Sequence, residues 1–294
     1  MTAVVREVLA RATDALRDGG SPSPRLDAEV LLAHVLGRDR SWLHAHPEEA
    51  VEPGAFDALV ERRVHGEPIA YLRGFKEWRS LRIRTDARAL VPRPETELLL
   101  DQAIAEIARR IARDREPIVA WEVATGAGAV AVALALRYRE AIALGRLRLI
   151  ASDLSPDALE LATENLEGHG VASLVDLACA DLLEPAGVTL PRPDVVVANL
   201  PYVPSEEVRA PGRGLDHEPL IALDGGTDGL VVFRRLFAMV PDRVAPAATL
   251  LLEIGAGQAD DLRALADPVA SVAVERDLAG MERVVRVSVA GTGA

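Results

Sequence analysis

The chain has 294 residues, 49% of them hydrophobic and 27% charged, which supplies a sizeable core but no apolar run near the roughly 18 residues that span a bilayer. Its formal net charge of -12 argues against general nucleic-acid binding, because affinity for phosphates comes mainly from Lys and Arg. A single cysteine, Cys179, excludes a disulfide framework and a cysteine-based zinc site, so a reducing cytoplasm is the expected compartment.

The first stretch reads as short helices. Val4, Val5, Val8, Leu9, Ala12 and Leu16 recur at helical spacing, with Arg6, Glu7, Arg11 and Asp14 between them. That pattern is an amphipathic helix and not a signal peptide. Gly19-Gly20 ends it, and Ser21-Pro22-Ser23-Pro24 is a turn. Further helices are expected over 26–36, 41–46 and 53–65, with no strand before about residue 78. Residues 1–90 carry 14 basic and 14 acidic side chains, which leaves the whole -12 to residues 91–294.

From Trp78 the pattern changes. Leu81, Ile83 and Thr85 alternate with Arg82, Arg84 and Asp86, which predicts a half-buried strand. Residues 61–93 hold nine basic side chains against Glu61, Glu67, Glu77 and Asp86. Such an excess is either a solvated hairpin face or a docking edge for an acidic or polar partner. The expected division is a helical domain over 1–77, a β-hairpin linker over 78–93 and a larger domain over 94–294.

Beyond Pro94 helices and strands alternate. Strands are expected over 118–123, 147–153, 176–181, 194–198 and 249–254, separated by helical patterns, which means an α/β fold with a doubly wound parallel sheet. The last two strands, 271–276 and 283–289, are joined by too few residues for a helical crossover and must pair antiparallel.

Two sites carry chemistry. Glu122-Val-Ala124-Thr125-Gly126-Ala127-Gly128 follows the first strand of this sheet, where a glycine turn lets backbone N–H groups and a helix N-terminus approach a ligand. The next two strands end in Asp153 and Asp181, so acidic residues end three successive strands. An acid at the second strand end can accept both hydroxyls of a ribose; the alternative for each is a helix N-cap. The second site is Asn199-Leu200-Pro201-Tyr202. The Asn side chain has one acceptor and two donors, which suits a planar amide or an aminopyrimidine edge. A carbonyl beside Pro201 can take a second N–H from the same nitrogen, and Tyr202 can stack on its plane. The bland alternative is a simple turn. The six histidines show no metal spacing, and no metal is expected.

The glycine turn, the acidic strand ends and the Asn-x-Pro-Tyr motif resemble a class I methyltransferase using S-adenosyl-L-methionine. The stretch Arg63-x-x-Gly66-x-Pro68-x-x-Tyr71-Leu72-x-Gly74, then Val91-Pro92-Arg93-Pro94-Glu95-Thr96-Glu97, is similar to the peptide chain release factor N5-glutamine methyltransferases, HemK/PrmC. The similarity continues through Glu218-Pro219, Ala222-Leu223, Gly225-Gly226 and Gly229 to Glu275-Arg276-Asp277-Leu278. It implies a Rossmann-like catalytic sheet with a small all-helical N-terminal domain, and methyl transfer to the glutamine of the release-factor GGQ motif. By position in that family, Glu122, residues 124–128, Asp153, Asp181, Leu182 and Asn199 would line the cofactor pocket. Arg93, Glu95 and Thr96 would form its floor. Asn199, Leu200, Pro201 and Tyr202 would hold the substrate glutamine. The chain departs from the family pattern at Ala124, usually Gly, at Glu122, more often Asp, and at Leu200, usually Pro.

The partner so implied is a release factor, with no direct nucleic-acid binding and no membrane. Two other readings stand beside it: an N6-adenine methyltransferase acting on nucleic acid, which the acidic charge opposes, and a non-catalytic cofactor-binding protein, which the intact Asn-x-Pro-Tyr motif opposes.

Overall fold

The apolar runs after residue 117 become the inner strands of one sheet, and the helical patterns between them cover its two faces. A computed structural model describes residues 2–114, 116–210, 215–266 and 270–291. The chain divides into two compact units, Met1–Lys76 with Pro211–His217, and Glu77–Ala210 with Glu218–Ala294.

The first unit is built on helices Val5–Asp18, Pro24–Leu36, Arg40–Ala45, Gly54–Val64 and Ile69–Arg73. Val5, Val8, Leu16, Leu31, Phe56 and their neighbours form its core. Asp39 caps the third helix by accepting the Trp42 N–H at 2.7 Å. Arg63 donates to the buried Asp27 carboxylate at 2.8 Å and to the carbonyl of Glu67 at 3.1 Å, tying two helices to the turn that follows. The unit is not purely helical: β1 (Ala3–Val4) and β2 (Ala50–Val51) pair antiparallel, a two-residue ladder too short to leave a periodic signal.

The hairpin begins earlier than its sequence suggests. Its strands are β3 (Phe75–Trp78) and β4 (Leu81–Arg84), so it occupies 75–84 and not 78–93. Its turn residues, Arg79 at φ 50° and Ser80 at φ 62°, are both left-handed. Such a turn normally announces itself with Asn-Gly or Asp-Gly, and Arg-Ser gives no such notice.

In the second unit, the strands are β5 (Ile118–Val123), β6 (Leu147–Asp153), β7 (Asp176–Asp181), β8 (Glu184–Pro185), β9 (Val195–Ala198), β10 (Thr249–Glu253), β11 (Ala270–Arg276) and β12 (Glu282–Val289). Among the described residues they form an eight-stranded sheet ordered β11-β12-β10-β9-β5-β6-β7-β8. β10, β9, β5, β6 and β7 run parallel, while β11 and β12 pair antiparallel, as their short connection requires. β9 and β10 are buried along their whole length, which explains why they read as continuous apolar runs. Leu99, Ile107, Val132, Leu134 and Leu161 from three helices pack on one face; Phe233, Leu236, Val240 and Leu262 from two others pack on the opposite face. No described helix is long and apolar enough to cross a membrane.

Candidate active site

Chain order reverses at β5, with β6 on one side of it and β9 on the other. That reversal opens a crevice at the carboxyl ends of the strands, where ligands of such sheets bind. Val123 stands opposite both Ser152 and Ala198, so the segments following β5, β6 and β9 leave the sheet at nearly one level. The cavity there has a volume of about 330 Å³, within the size range of small-molecule pockets.

The turn after β5 is wound tightly. Ala124, Gly126 and Gly128 have φ of 56°, 55° and 77°. Only glycine adopts that region freely, so Ala124 holds a conformation that costs a side-chain-bearing residue about 1–2 kcal/mol. Gly128 heads the helix Ala129–Arg137, and a Cβ there would stand 3.1 Å from Ala162 Cβ. Its role is close helix packing, and it does not line the cavity. The turn is fastened by side chains from elsewhere. Asp153 Oδ2 accepts the Gly126 N–H and Oδ1 accepts the Ser155 N–H, both at 2.9 Å. Buried Asn165 donates to the Ala127 carbonyl at 2.8 Å and brackets Arg84 through both its N–H and its carbonyl.

The charged groups of the lining are largely matched with one another or with acids just outside it. Glu122, Asp153, Asp181 and Asp224 line the cavity, as do Arg88, Arg93 and Arg235. Each of these arginines is paired within the protein: Arg88 with Asp86 at 2.7 Å, Arg93 with Glu218 at 2.5 Å, Arg235 with Asp181 at 2.6 Å. Among the described residues no ion pair joins Glu122 to a cation. Burial, reinforced by nearby Asp153, pushes its carboxyl up to about 8, against the Thr125 hydroxyl and the Ala131 N–H that favour the charged form. Thr125 Oγ1 donates to Glu122 at 2.9 Å. Burial also raises Asp153, while the N–H groups of Ser155, Gly126 and Leu154 oppose the rise.

Asn199 follows β9 directly, and its Nδ2 donates to Thr96 Oγ1 at 3.3 Å. Leu200 is buried and lines the cavity with Pro201. The Pro201–Tyr202 backbone is clamped from outside. Gln258 Nε2 donates to the Tyr202 carbonyl at 3.0 Å, and Val203 exchanges hydrogen bonds with Leu223 and Gly225. A Cβ on Gly225 would stand 2.8 Å from the Pro201 carbonyl oxygen, and one on Gly229 2.3 Å from that of Tyr202. Those glycines let two backbones touch. The Tyr202 ring lies beside Gly255, and burial raises its hydroxyl to about 12.

Of the residues singled out in the sequence, Glu122, Ala124, Thr125, Gly126, Ala127, Asp153, Asp181, Leu182, Asn199, Leu200, Pro201, Arg93 and Thr96 surround one cavity. Gly128, Glu95 and Tyr202 stand outside its lining; Glu95 is 3.8 Å from Arg283. Sequence reasoning missed Asn165, Gln258 and Glu253. Glu253 had a signal, because it is one more acidic residue ending a central strand.

Residues 7–74 match the PrmC N-terminal domain family. The chain is 38% identical to a release factor glutamine methyltransferase of Deinococcus radiodurans, covering 98% of this chain and 99% of that protein. It is 35% identical to the protein of that name from Moorella thermoacetica, over 95% and 96% of the two chains. Among solved structures it is similar in fold to the hMettl16 catalytic domain, with 14% identity, a TM-score of 0.50 and coverage of 84% and 87%. It also matches a release factor-specific protein-(glutamine-N5) methyltransferase of Alicyclobacillus acidocaldarius, at 27% identity, a TM-score of 0.39 and coverage of 68% and 94%. With identity of this order sustained over nearly its full length, the chain belongs to the release factor glutamine methyltransferase family.

Proposed function

We propose that this chain transfers a methyl group from S-adenosylmethionine to the side-chain amide nitrogen of a glutamine in peptide chain release factors. The observation that carries this reading is Asn199: a carboxamide at the cavity edge, its nitrogen turned to Thr96, beside a Pro201–Tyr202 backbone clamped by Gln258 and two glycines. The cavity suits the cofactor, since its arginines are all paired and so set no unmatched positive charge against a ligand bearing a sulfonium and an ammonium. Asp153 would take the ribose hydroxyls with its remaining lone pairs. Glu122, Thr125, Gly126 and Ala127 would border the amino-acid end, and Leu182 and Asp181 the base. Arg93 and Thr96 would form the floor.

The bound cofactor supplies an electrophilic methyl on a positively charged sulfur. The chain's own work is orientation. An amide nitrogen is a poor nucleophile, because its lone pair is delocalised, so nitrogen, methyl and sulfur must be held in line. Such alignment contributes up to ~7–11 kcal/mol. Asn199 Oδ1 would accept one substrate N–H and a carbonyl beside Pro201 the other, with Tyr202 against the amide plane. The amide proton then leaves to water.

The helical N-terminal unit and the basic stretch 61–93 are the proposed contacts for the release factor, and the cytoplasm the proposed compartment. The test is methyl-donor labelling of purified release factors beside an adenine-containing RNA and DNA, read by mass spectrometry. Label on a release-factor glutamine supports the reading; label on adenine alone replaces it with the nucleic-acid one.

A further inference from the structure

Glu253 is a carboxylate at the end of β10, outside the cavity lining. β10 and β9 run parallel with Leu252 opposite Ala198, so the next residues of the two strands, Glu253 and Asn199, stand level at the sheet edge. Glu253 is 0% exposed, and among the described residues neither carboxylate oxygen has a partner at full hydrogen-bond geometry, although the Thr96 and Asn199 side chains are the donors that act on it. A buried acid left this way costs stability, and an apolar or amide side chain of similar size would fill the place at lower cost. The groups that act on it are Thr96, Asn199, Glu95 and Arg283. The last of these is engaged by Asp277 at 3.0 Å and lies 3.8 Å from Glu95; Tyr202 is the other titratable group facing Glu253.

Hydrogen-bond sense explains what a carboxylate does here. Asn199 Nδ2 donates to Thr96 Oγ1. A hydroxyl that accepts from Asn199 keeps its own proton to give away, and a carboxylate can only accept. With an anion at 253 the order would be fixed: Asn199 N–H to Thr96, and the Thr96 O–H turned toward Glu253. A group that could also donate would let Thr96 point its proton back at Asn199 Oδ1 and flip the carboxamide. The flipped form would present an NH₂ to the substrate's NH₂, donor against donor.

We propose that Glu253 is a positioning residue for Asn199, whose carboxylate, acting through Thr96, locks the carboxamide in the one flip state that offers Oδ1 to the substrate nitrogen. This rests on the glutamine-methylating function proposed above. Burial raises the Glu253 carboxyl to about 7, against Thr96, Asn199 and Arg283, so the lock engages as pH rises through neutrality.

The test is Glu253→Gln, which keeps the shape and restores a donor. We expect kcat for release-factor methylation to fall by at least about tenfold, since misplacing a reacting group by about 1 Å can cost ~10²-fold. The dissociation constant for S-adenosylmethionine should stay where it was, and thermal stability at pH 8 should rise because a buried unpaired charge is gone. The increase of wild-type kcat with pH across neutrality should flatten in the variant, and Glu253→Asp should recover part of the lost rate. An unchanged kcat in Glu253→Gln, or a fall matched by equal losses of cofactor binding and stability, overturns the proposal. If the variant does not fold, a flat wild-type kcat across neutrality overturns it as well. Wild-type protein that methylates no release factor removes the functional reading and this inference with it; wild-type activity with an indifferent Gln variant removes the inference alone.

Discussion

The Asp153 carboxylate reaches across two strand ends to the backbone N–H of Gly126, at 2.9 Å. The acid that ends β6 and the glycine turn after β5 are thus one assembly. Asp153→Ala removes a ribose acceptor and also the anchor of the turn, so the weakening of S-adenosylmethionine binding should reach at least ~1.5–3 kcal/mol, the range for hydrogen bonds to a charged group. Asp153→Asn keeps one acceptor oxygen and should lose less. Calorimetry showing native affinity in Asp153→Ala would remove the residue from the cofactor site.

The parts of the site that could be read from the sequence are those marked by backbone punctuation. Gly126 and Gly128 stand where a strand must turn sharply into a helix, and Asn199-Leu-Pro-Tyr stands where β9 stops. Local pattern also located β5, β6 and β7 to the residue, because apolar runs bounded by turn residues are self-contained signals. What stayed hidden depends on partners far along the chain. Asn165 meets Arg84 81 residues upstream, and Gln258 meets Tyr202 56 residues upstream; nothing near either residue announces the contact. The same holds for the hairpin turn at Arg79 and Ser80, whose left-handed backbone is imposed on residues that do not favour it.

Glu106 is the opposite of Glu253, a buried acid with every partner in place. Burial alone would raise its carboxyl, but hydrogen bonds from Arg109, Arg110, Arg286 and Thr249 hold it down to about 2. Arg110 is itself buried and donates to Glu106 at 2.8 Å and to the Ala247 carbonyl at 2.6 Å. Glu106→Gln leaves that buried guanidinium with Asp194, 3.8 Å away, as its remaining counter-charge and should cost about 3–5 kcal/mol in urea unfolding. The folded carboxyl sits below its unfolded value, so its contribution is present above about pH 4.5 and lost as pH falls toward 2. A Glu106→Gln protein with native stability at neutral pH and an unchanged acid limb would contradict this account.

Glu122 gives the reverse sign. Its folded carboxyl holds a proton up to about 8, against 4.5 unfolded. Between those values the unfolded chain binds fewer protons, so this residue makes stability fall as pH rises through the window. Glu122→Gln, isosteric and always neutral, should flatten that fall by up to a few kcal/mol, on the scale of about 1.4 kcal/mol per pKa unit. Unfolding free energies at pH 5 and pH 8 for both proteins supply the comparison. Parallel curves would mean that Glu122 ionises in the folded protein as it does in the unfolded one.

Asn199 is where geometry and chemistry converge, and substitutions there separate binding from reaction. Its nitrogen is turned to Thr96, which leaves Oδ1 as the acceptor for the substrate NH₂. Asn199→Ala removes that acceptor and opens little of the cofactor cavity, so the protein should fold and still bind S-adenosylmethionine appreciably. Methyl transfer should fall ~10²–10³-fold, the usual cost of deleting one orienting group in such a site. Asn199→Asp is the more discriminating change. It keeps an acceptor for the NH₂ but loses the second Nδ2 hydrogen, the one not given to Thr96, which would donate to the glutamine carbonyl oxygen, and its charge repels that oxygen. An adenine presents a ring nitrogen in that place, so Asp alone does not distinguish the two substrates, and each variant must be assayed with a release factor and with adenine-containing RNA or DNA. Thr96→Val keeps the shape and removes the acceptor for Asn199 Nδ2, so it should lower kcat by a larger factor than it lowers cofactor affinity. Near-native transfer to glutamine by Asn199→Ala would end the orientation mechanism. Native transfer by Thr96→Val with a much reduced rate in Asn199→Ala would keep Asn199 in its role and release it from Thr96.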